Sequence, residues 1–284
     1  MSSCPKYLSV CLLALLTQAA FAQHATPSLG SAANFAILSA APGGTGAVTC
    51  TDSTITGNVG STGQPASIVQ TNCVINGATV APVSAGVVAD FYGAYADLAQ
   101  QRCDSFLTGT LADVSLTPGV YCFAAAATLT GTLTLNGGAN DTWLFKVGTS
   151  GTGALTGTNF SVVMANGASA CNVTWWVAEA TTMTTSSFLG TVLSGAAITA
   201  TGVAPTSPYE GRALAKAAVT LTNVAFTGCT GGSIGGTAKQ KCNQGVGNGP
   251  EGCDPGNSNQ GNPLRSNDEL GGVPGKPGRK GGNK

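Results

Sequence analysis

TWLFKVG (142–148), GALTGTNFSVVMA (153–165), ACNVTWWVAE (170–179), TTMTTSSF (181–188), LGTVLSG (189–195), AAITATG (196–202) and GRALAKAAVTLTN (211–223) follow one another through the middle of the chain. They are short β-type runs parted by little more than Gly, Ser, Asn or Thr. None is long or periodic enough for a helix. A Thr-x-Thr element returns within them at Thr156-Gly157-Thr158, Thr182-Met183-Thr184, Thr199-Ala200-Thr201 and Thr220-Leu221-Thr222, with Thr128-Leu129-Thr130 upstream. The gaps are irregular but are about the length of one coil of a solenoid. Alternate residues of a strand share a face, so each element places two threonines on one side, and stacked coils would assemble a threonine ladder.

Working outward, 284 residues are enough to bury a large core. Only 8% of them are charged and the formal net charge is zero, so nothing points to nucleic acid, an acidic lipid surface or a highly charged substrate. The 41 glycines and the scarcity of Lys and Glu suit many tight turns between short strands.

Residues 1–22 read as a secretory signal: Lys6 gives the positive start, Leu8 to Leu16 the apolar core, and Ala20-Phe21-Ala22 a cleavage site before Gln23. No later apolar run approaches the ~20 residues that span a membrane, so membrane insertion is not expected. Ten cysteines, less Cys4 and Cys11 in the signal, leave eight for the exported chain, where disulfides are the expected state. Eight cysteines allow about 105 pairings, so connectivity stays open; Cys242 with Cys253 is favoured on proximity alone. There is no Cys-x-x-Cys, and the single histidine, His24, lies at the mature N-terminus, so no metal or cofactor is called for.

Leu29 to Leu38 reads as an opening strand, and Thr54 to Gly60 and Ser67 to Val80 as further coil pieces bracketed by Cys50 and Cys73. The pattern changes once, at 83–102, where Val88, Phe91, Tyr95 and Leu98 recur at three- and four-residue steps. That spacing predicts one amphipathic helix whose stripe lies on a sheet, with Phe91, Tyr92 and Tyr95 as core packing. Trp175 and Trp176 are consecutive in a strand and therefore point to opposite sides, one into the core and the other under the helix. Beyond Cys229, residues 230–284 are dominated by Gly, Asn, Pro and Ser, and read as a disordered tail that tethers the protein to a surface or is simply solvated.

The ordered set LGSAANFAIL (29–38), ITGNVG (55–60), YADL (95–98), LTPGVY (116–121), LFKVG (144–148), ACNVTWWV (170–177), and GRALA with AVTLTN between Gly211 and Asn223 resembles the microbial secreted ice-binding (antifreeze) proteins. The resemblance covers Leu29 to about Cys229. It implies a mainly β fold, a right-handed discontinuous β-helix forming a three-sided solenoid, with one long α-helix packed alongside and interleaved N- and C-terminal pieces. It also implies a flat face that adsorbs to ice, giving thermal hysteresis and inhibiting ice recrystallisation, in a secreted monomer whose partner is the ice crystal surface. With the Thr-x-Thr recurrence it makes Thr128, Thr130, Thr156, Thr158, Thr182, Thr184, Thr199 and Thr201 the candidate ice-binding residues. The domain division that follows is 1–22 signal, 23–229 β-helical domain and 230–284 tail.

Two rival classes stand beside this one. A β-helical polysaccharide enzyme needs carboxylates paired on one face, whereas Asp52, Asp90, Asp97, Asp104, Asp113, Asp141, Glu179 and Glu210 are scattered, so no enzyme is expected. An extracellular adhesin or matrix protein binding glycan or ice at the cell surface is the alternative. Asn140-Asp141-Thr142, Asn159-Phe160-Ser161 and Asn172-Val173-Thr174 match the N-glycosylation sequon, a pattern frequent by chance in a chain so rich in Asn and Thr.

Overall fold

The computed structural model describes residues 27–203 and 207–229. Among these, the chain begins with β1 (Phe35–Ser39), β2 (Val48–Thr51), β3 (Thr54–Thr56), β4 (Asn58–Ser61), β5 (Ile68–Thr71), β6 (Val74–Asn76) and β7 (Thr79–Val80). The helix α1 (Ala85–Gln100) follows, then β8 (Ser105–Phe106), β9 (Val114–Leu116), β10 (Gly119–Phe123), β11 (Ala127–Asn136), β12 (Trp143–Val147) and β13 (Leu155–Ala165). The remaining strands are β14 (Val173–Val177), β15 (Thr181–Thr184), β16 (Phe188–Ser194), β17 (Ile198–Thr201), β18 (Ser207–Ala215), β19 (Val219–Thr222) and β20 (Val224–Gly228). The strand pairs are parallel, as successive coils of a solenoid require.

The winding is discontinuous. β1 enters in the middle, between β18 and β4, and completes the coil that β19 and β20 leave open. Two more coils, β2-β3-β4 and β5-β6-β7, carry the chain to one end. The helix, about 24 Å long at 1.5 Å per residue, takes it back along the solenoid, and the strands from β8 onward wind forward to meet the start. Three sides result. One is β5-β2-β19-β17-β15 with the first halves of β13 and β11, strands of an eight-stranded sheet that β9 completes by pairing with the second half of β11. A second is β7-β4-β1 with the C-terminal half of β18, then β16, β14, β12, β10 and β8, and it lies under α1. The third joins β6, β3, β20 and the N-terminal half of β18 to β16, and continues through the Ser161–Ser187 bridge to the distal halves of β13 and β11.

Burial explains the runs WLFKV and VTWWV. Both sides of these strands are covered, so apolar residues need not alternate with polar ones. Phe145 and Trp175 point into the solenoid, while Leu144 and Trp176 meet the helix layer. The expected split of the two tryptophans is therefore observed: the Trp176 indole donates to the Tyr95 carbonyl at 3.0 Å. An aromatic file runs along the axis from Tyr121 through Phe145, Trp175, Phe188 and Tyr209 to Phe226, with neighbouring centroids 4.0–6.2 Å apart.

The helix spans less than the expected 83–102, and its buried stripe is Val87, Phe91, Ala94, Tyr95 and Leu98, with Val88 at the margin. Lys146 secures its C-terminus by donating to the Ala99 and Gln101 carbonyls at 2.8 and 2.6 Å. The expected strand at 29–38 is only half correct, since Gly30–Asn34 is a 3-10 helix. Asp90 on α1 accepts from the Ser31 amide and hydroxyl at 2.7 and 2.6 Å, which folds this segment onto the helix before strand β1 begins at Phe35.

The described disulfides are Cys50–Cys73, Cys103–Cys122 and Cys171–Cys229. The signal, the tail and the Cys242–Cys253 pair lie outside the described residues. Cys171–Cys229 fastens the end of β20, the strand on which β3 and β6 build, across a separation of 58 residues. Replacing both cysteines with Ala is expected to lower the unfolding free energy by about 2–4 kcal/mol. Chemical denaturation measures this as a lower midpoint, with a steeper slope because the freed denatured chain exposes more surface; an unchanged midpoint would show that β20 is held by its ladder alone.

Candidate functional site

The first side repeats one local pattern. In β2, β19, β17, β15 and β13 the first and third residues face inward, where Val48, Val219, Ile198, Thr181 and Leu155 are buried. The second and fourth face out, and these are threonines. Register then makes two continuous files, an inner one and an outer one that borders the following corner. In one, Thr128 pairs with Thr156, followed by Thr182, Thr199, Thr220 and Thr49, after which Val69 ends the row. In the other, Thr158 is followed by Thr184, Thr201, Thr222, Thr51 and Thr71. Gly157 leaves room beneath this surface for the Met183 sulfur, which a Cβ there would displace.

Seven of the eight sequence candidates stand in the two files. Thr130 stands at the far end where the register shifts between Leu129 and Gly131, and its amide pairs with the Thr110 carbonyl at 3.1 Å. Sequence reasoning left out Thr220 and Thr222, although their motif was visible, and it missed Thr49, Thr51 and Thr71 altogether. A wider signal would have found most of them. Ala47-Val48-Thr49-Cys50-Thr51, Ala218-Val219-Thr220-Leu221-Thr222 and Ala197-Ile198-Thr199-Ala200-Thr201 share Ala, an apolar residue and Thr-x-Thr.

The corner after the second file is also regular. Asp52, Asn72, Asn223, Thr185 and Asn159 adopt φ between 48 and 55°, a left-handed turn that, glycine aside, Asn and Asp tolerate best. Neighbouring coils tie these corners together: the Asn72 amide donates to the Asp52 carboxylate at 3.1 Å, and the Thr185 hydroxyl donates to the Asn159 side-chain oxygen. β-Branching leaves each threonine few rotamers, and its neighbours above and below restrict them further.

None of the eight strands contains Asp, Glu, Lys or Arg. The shifted ionisable groups sit elsewhere. Burial under the helix pushes the Tyr95 hydroxyl up to about 12 and lowers the Lys146 and Lys216 ammonium groups, the latter 3.6 Å over the Tyr95 ring. Burial also lowers the Arg212 guanidinium to about 10 where it donates to the Ala33 and Cys229 carbonyls. Each of these groups braces the fold. Among the described residues no group of three or more His, Cys, Asp and Glu is placed to hold a metal, and no helix is long and apolar enough to cross a membrane.

The helix face is covered, and the third face is open but irregular. Its outward files run Leu189, Glu210, Thr227, Thr56, Asn76 and Pro208, Ala225, Thr54, Val74. The threonine side is the open face with a two-dimensional repeat.

The family model described as ice-binding-like matches residues 33–227. Ice-binding protein K3-B1 of Typhula ishikariensis is 31% identical over 225 residues, 70% of this chain and 89% of that protein. An ice-binding protein of Nostoc sp. (strain HG1) is 37% identical over 180 residues, 61% of this chain and 64% of that one. The crystal structure of the ice-binding protein from the Antarctic ascomycete Antarctomyces psychrotrophicus superposes with a TM-score of 0.63 at 29% identity, covering 73% of this chain and all (100%) of the other.

Proposed function

The chain belongs to the ice-binding-like family, and from that premise we propose that it adsorbs to ice through the threonine sheet and acts as an antifreeze protein. The observation that carries this is the paired register of two threonine files on an open, uncharged face. Strands in adjacent coils repeat at ~4.8 Å and alternate residues at ~6.6 Å, spacings comparable with those between water oxygens in ice. The methyls favour cage-like water and the hydroxyls anchor it, so water ordered on the face merges with the crystal. Adsorbed molecules force ice to grow as curved fronts between them, which lowers the local freezing point and blocks recrystallisation.

The protein works outside the cell as a binding protein, without cofactor and as a monomer. The three described disulfides, the signal-like residues 1–22 and the family support this reading. Residues 23–229 are the ice-binding domain. Thermal hysteresis with ice-crystal shaping, on purified protein against a heat-denatured control, tests the activity. A freezing gap with faceted crystals is expected. Round crystals, no gap and no recrystallisation inhibition from a folded sample would reject it in favour of glycan adhesion.

With no ionisable group in the strands of the face, the freezing gap is expected to stay constant between about pH 5 and 8. Acid weakens the contact between the helix and the N-terminal segment. Hydrogen bonds from the Ser31 hydroxyl and amide hold Asp90 below its ordinary 3.8, so its contribution is present above that pH and lost as pH falls through the lowered value. Gap measurements across the range, with circular dichroism as a fold control, check this; a gap that titrates inside the window would place an ionisable group in contact with ice.

A further inference from the structure

We propose that Asn140 is an N-glycan acceptor, displayed by the fold on the side of the solenoid away from the threonine sheet. The sequence holds three sequons, at Asn140, Asn159 and Asn172, and the structure separates them. Asn172 is buried, and its amide nitrogen, the atom a glycan would occupy, donates to the Ala139 carbonyl at 2.7 Å. It is a brace for the neighbouring coil. Asn159 lies within β13 at φ 50°, between Thr158 of the outer file and the fully buried Phe160, and its side-chain oxygen accepts from Thr185. A glycan there would stand at the rim of the ice-contacting face.

Asn140 is different in each respect. It is exposed in the turn between β11 and β12, outside any strand ladder. The turn is fixed by others: the Asp141 carboxylate accepts from the Gly138 amide at 2.8 Å, the Asp141 amide donates to the Gly138 carbonyl at 3.1 Å, and Asn172 holds Ala139. The Asn140 side chain is thus presented without being needed for the turn. β11 ends on the third face and β12 begins on the helix face, so this corner is the one that does not border the threonine sheet. A bulky, solubilising sugar at that corner leaves the ice face clear.

The transfer needs a polyprenyl-diphosphate-linked oligosaccharide as donor. The Asn140 amide nitrogen bonds to the anomeric carbon, the bond from that carbon to the diphosphate oxygen breaks, polyprenyl diphosphate leaves with the electron pair, and the amide loses one proton. In the native setting this rests on the export proposed above. The test does not, because the full chain is sent through a yeast secretory pathway by a host leader. Enzymatic release of N-glycans converts the acceptor Asn to Asp, which peptide mapping locates. The expected result is Asp at 140 in the wild type, and a secreted, folded Asn140→Gln variant from which no N-glycan is released. Absence of any releasable glycan on the secreted wild type, or Asp only at 159 or 172, would overturn the proposal.

Discussion

Trp175→Ala is expected to lower the thermal unfolding midpoint by about 10 °C, the largest stability effect of any single side chain in the axis of the solenoid. Trp175 is fully buried, stacks on Phe145 at 4.0 Å and 13°, meets Phe160 edge-on at 6.4 Å and lies 5.2 Å from Phe188. Its indole also donates to the Leu189 carbonyl at 3.1 Å. Truncation removes the transfer free energy of the ring and leaves a cavity between coils that cannot collapse without shortening the strands, a loss of about 3–5 kcal/mol. For a folded unit of this size each kcal/mol moves the midpoint by about 2–4 °C. Scanning calorimetry makes the comparison; a shift of a degree or two would show that the coils are held by their ladders and disulfides, with the aromatic file a passenger.

Thr184→Tyr and Thr201→Tyr, made separately, are each expected to reduce the freezing gap to about a tenth of wild type or less while the midpoint of unfolding barely moves. The two positions are register partners in the outer file, with Thr158 and Thr222 on either side. Adsorption sums many contacts that are weak singly, so removing one hydroxyl changes little. A tyrosine ring standing above the plane acts differently, because it lifts its neighbours off the crystal together. A deficit of only about 1.4 kcal/mol in adsorption already corresponds to a tenfold change. Full activity in both variants, with the fold intact by circular dichroism, would place the contact elsewhere.

Much of this architecture is legible in the chain because the relevant signals are local. Gly-bounded runs of β-branched and aromatic residues mark strands, one stretch of three- and four-residue spacing marks the helix, and consecutive tryptophans must face opposite ways. Order along the axis is not local. Thr49 and Thr51 lie about as far in sequence from Thr220 and Thr222 as the folded part allows, yet β2 and β19 are hydrogen-bonded neighbours. Only the return of the N-terminal coils to the C-terminal end makes that adjacency, so a ladder read forward from Thr128 stops early. The 3-10 segment at Gly30–Asn34 was hidden for a related reason: its conformation is set by Asp90, far along the chain.

The most direct test of the threonine face compares two faces of one protein. Thr199→Tyr places a ring in the inner threonine file, and Thr56→Tyr places the same ring on the third face, where Thr56 is exposed and pairs with Thr227. Freezing gap and crystal shape would be recorded for both beside the wild type at equal concentration of folded protein. The expected result is facets and an undiminished gap with wild type and Thr56→Tyr, and rounded crystals with little gap for Thr199→Tyr. Loss of activity in Thr56→Tyr with retention in Thr199→Tyr would contradict the assignment and move the ice contact to the third face.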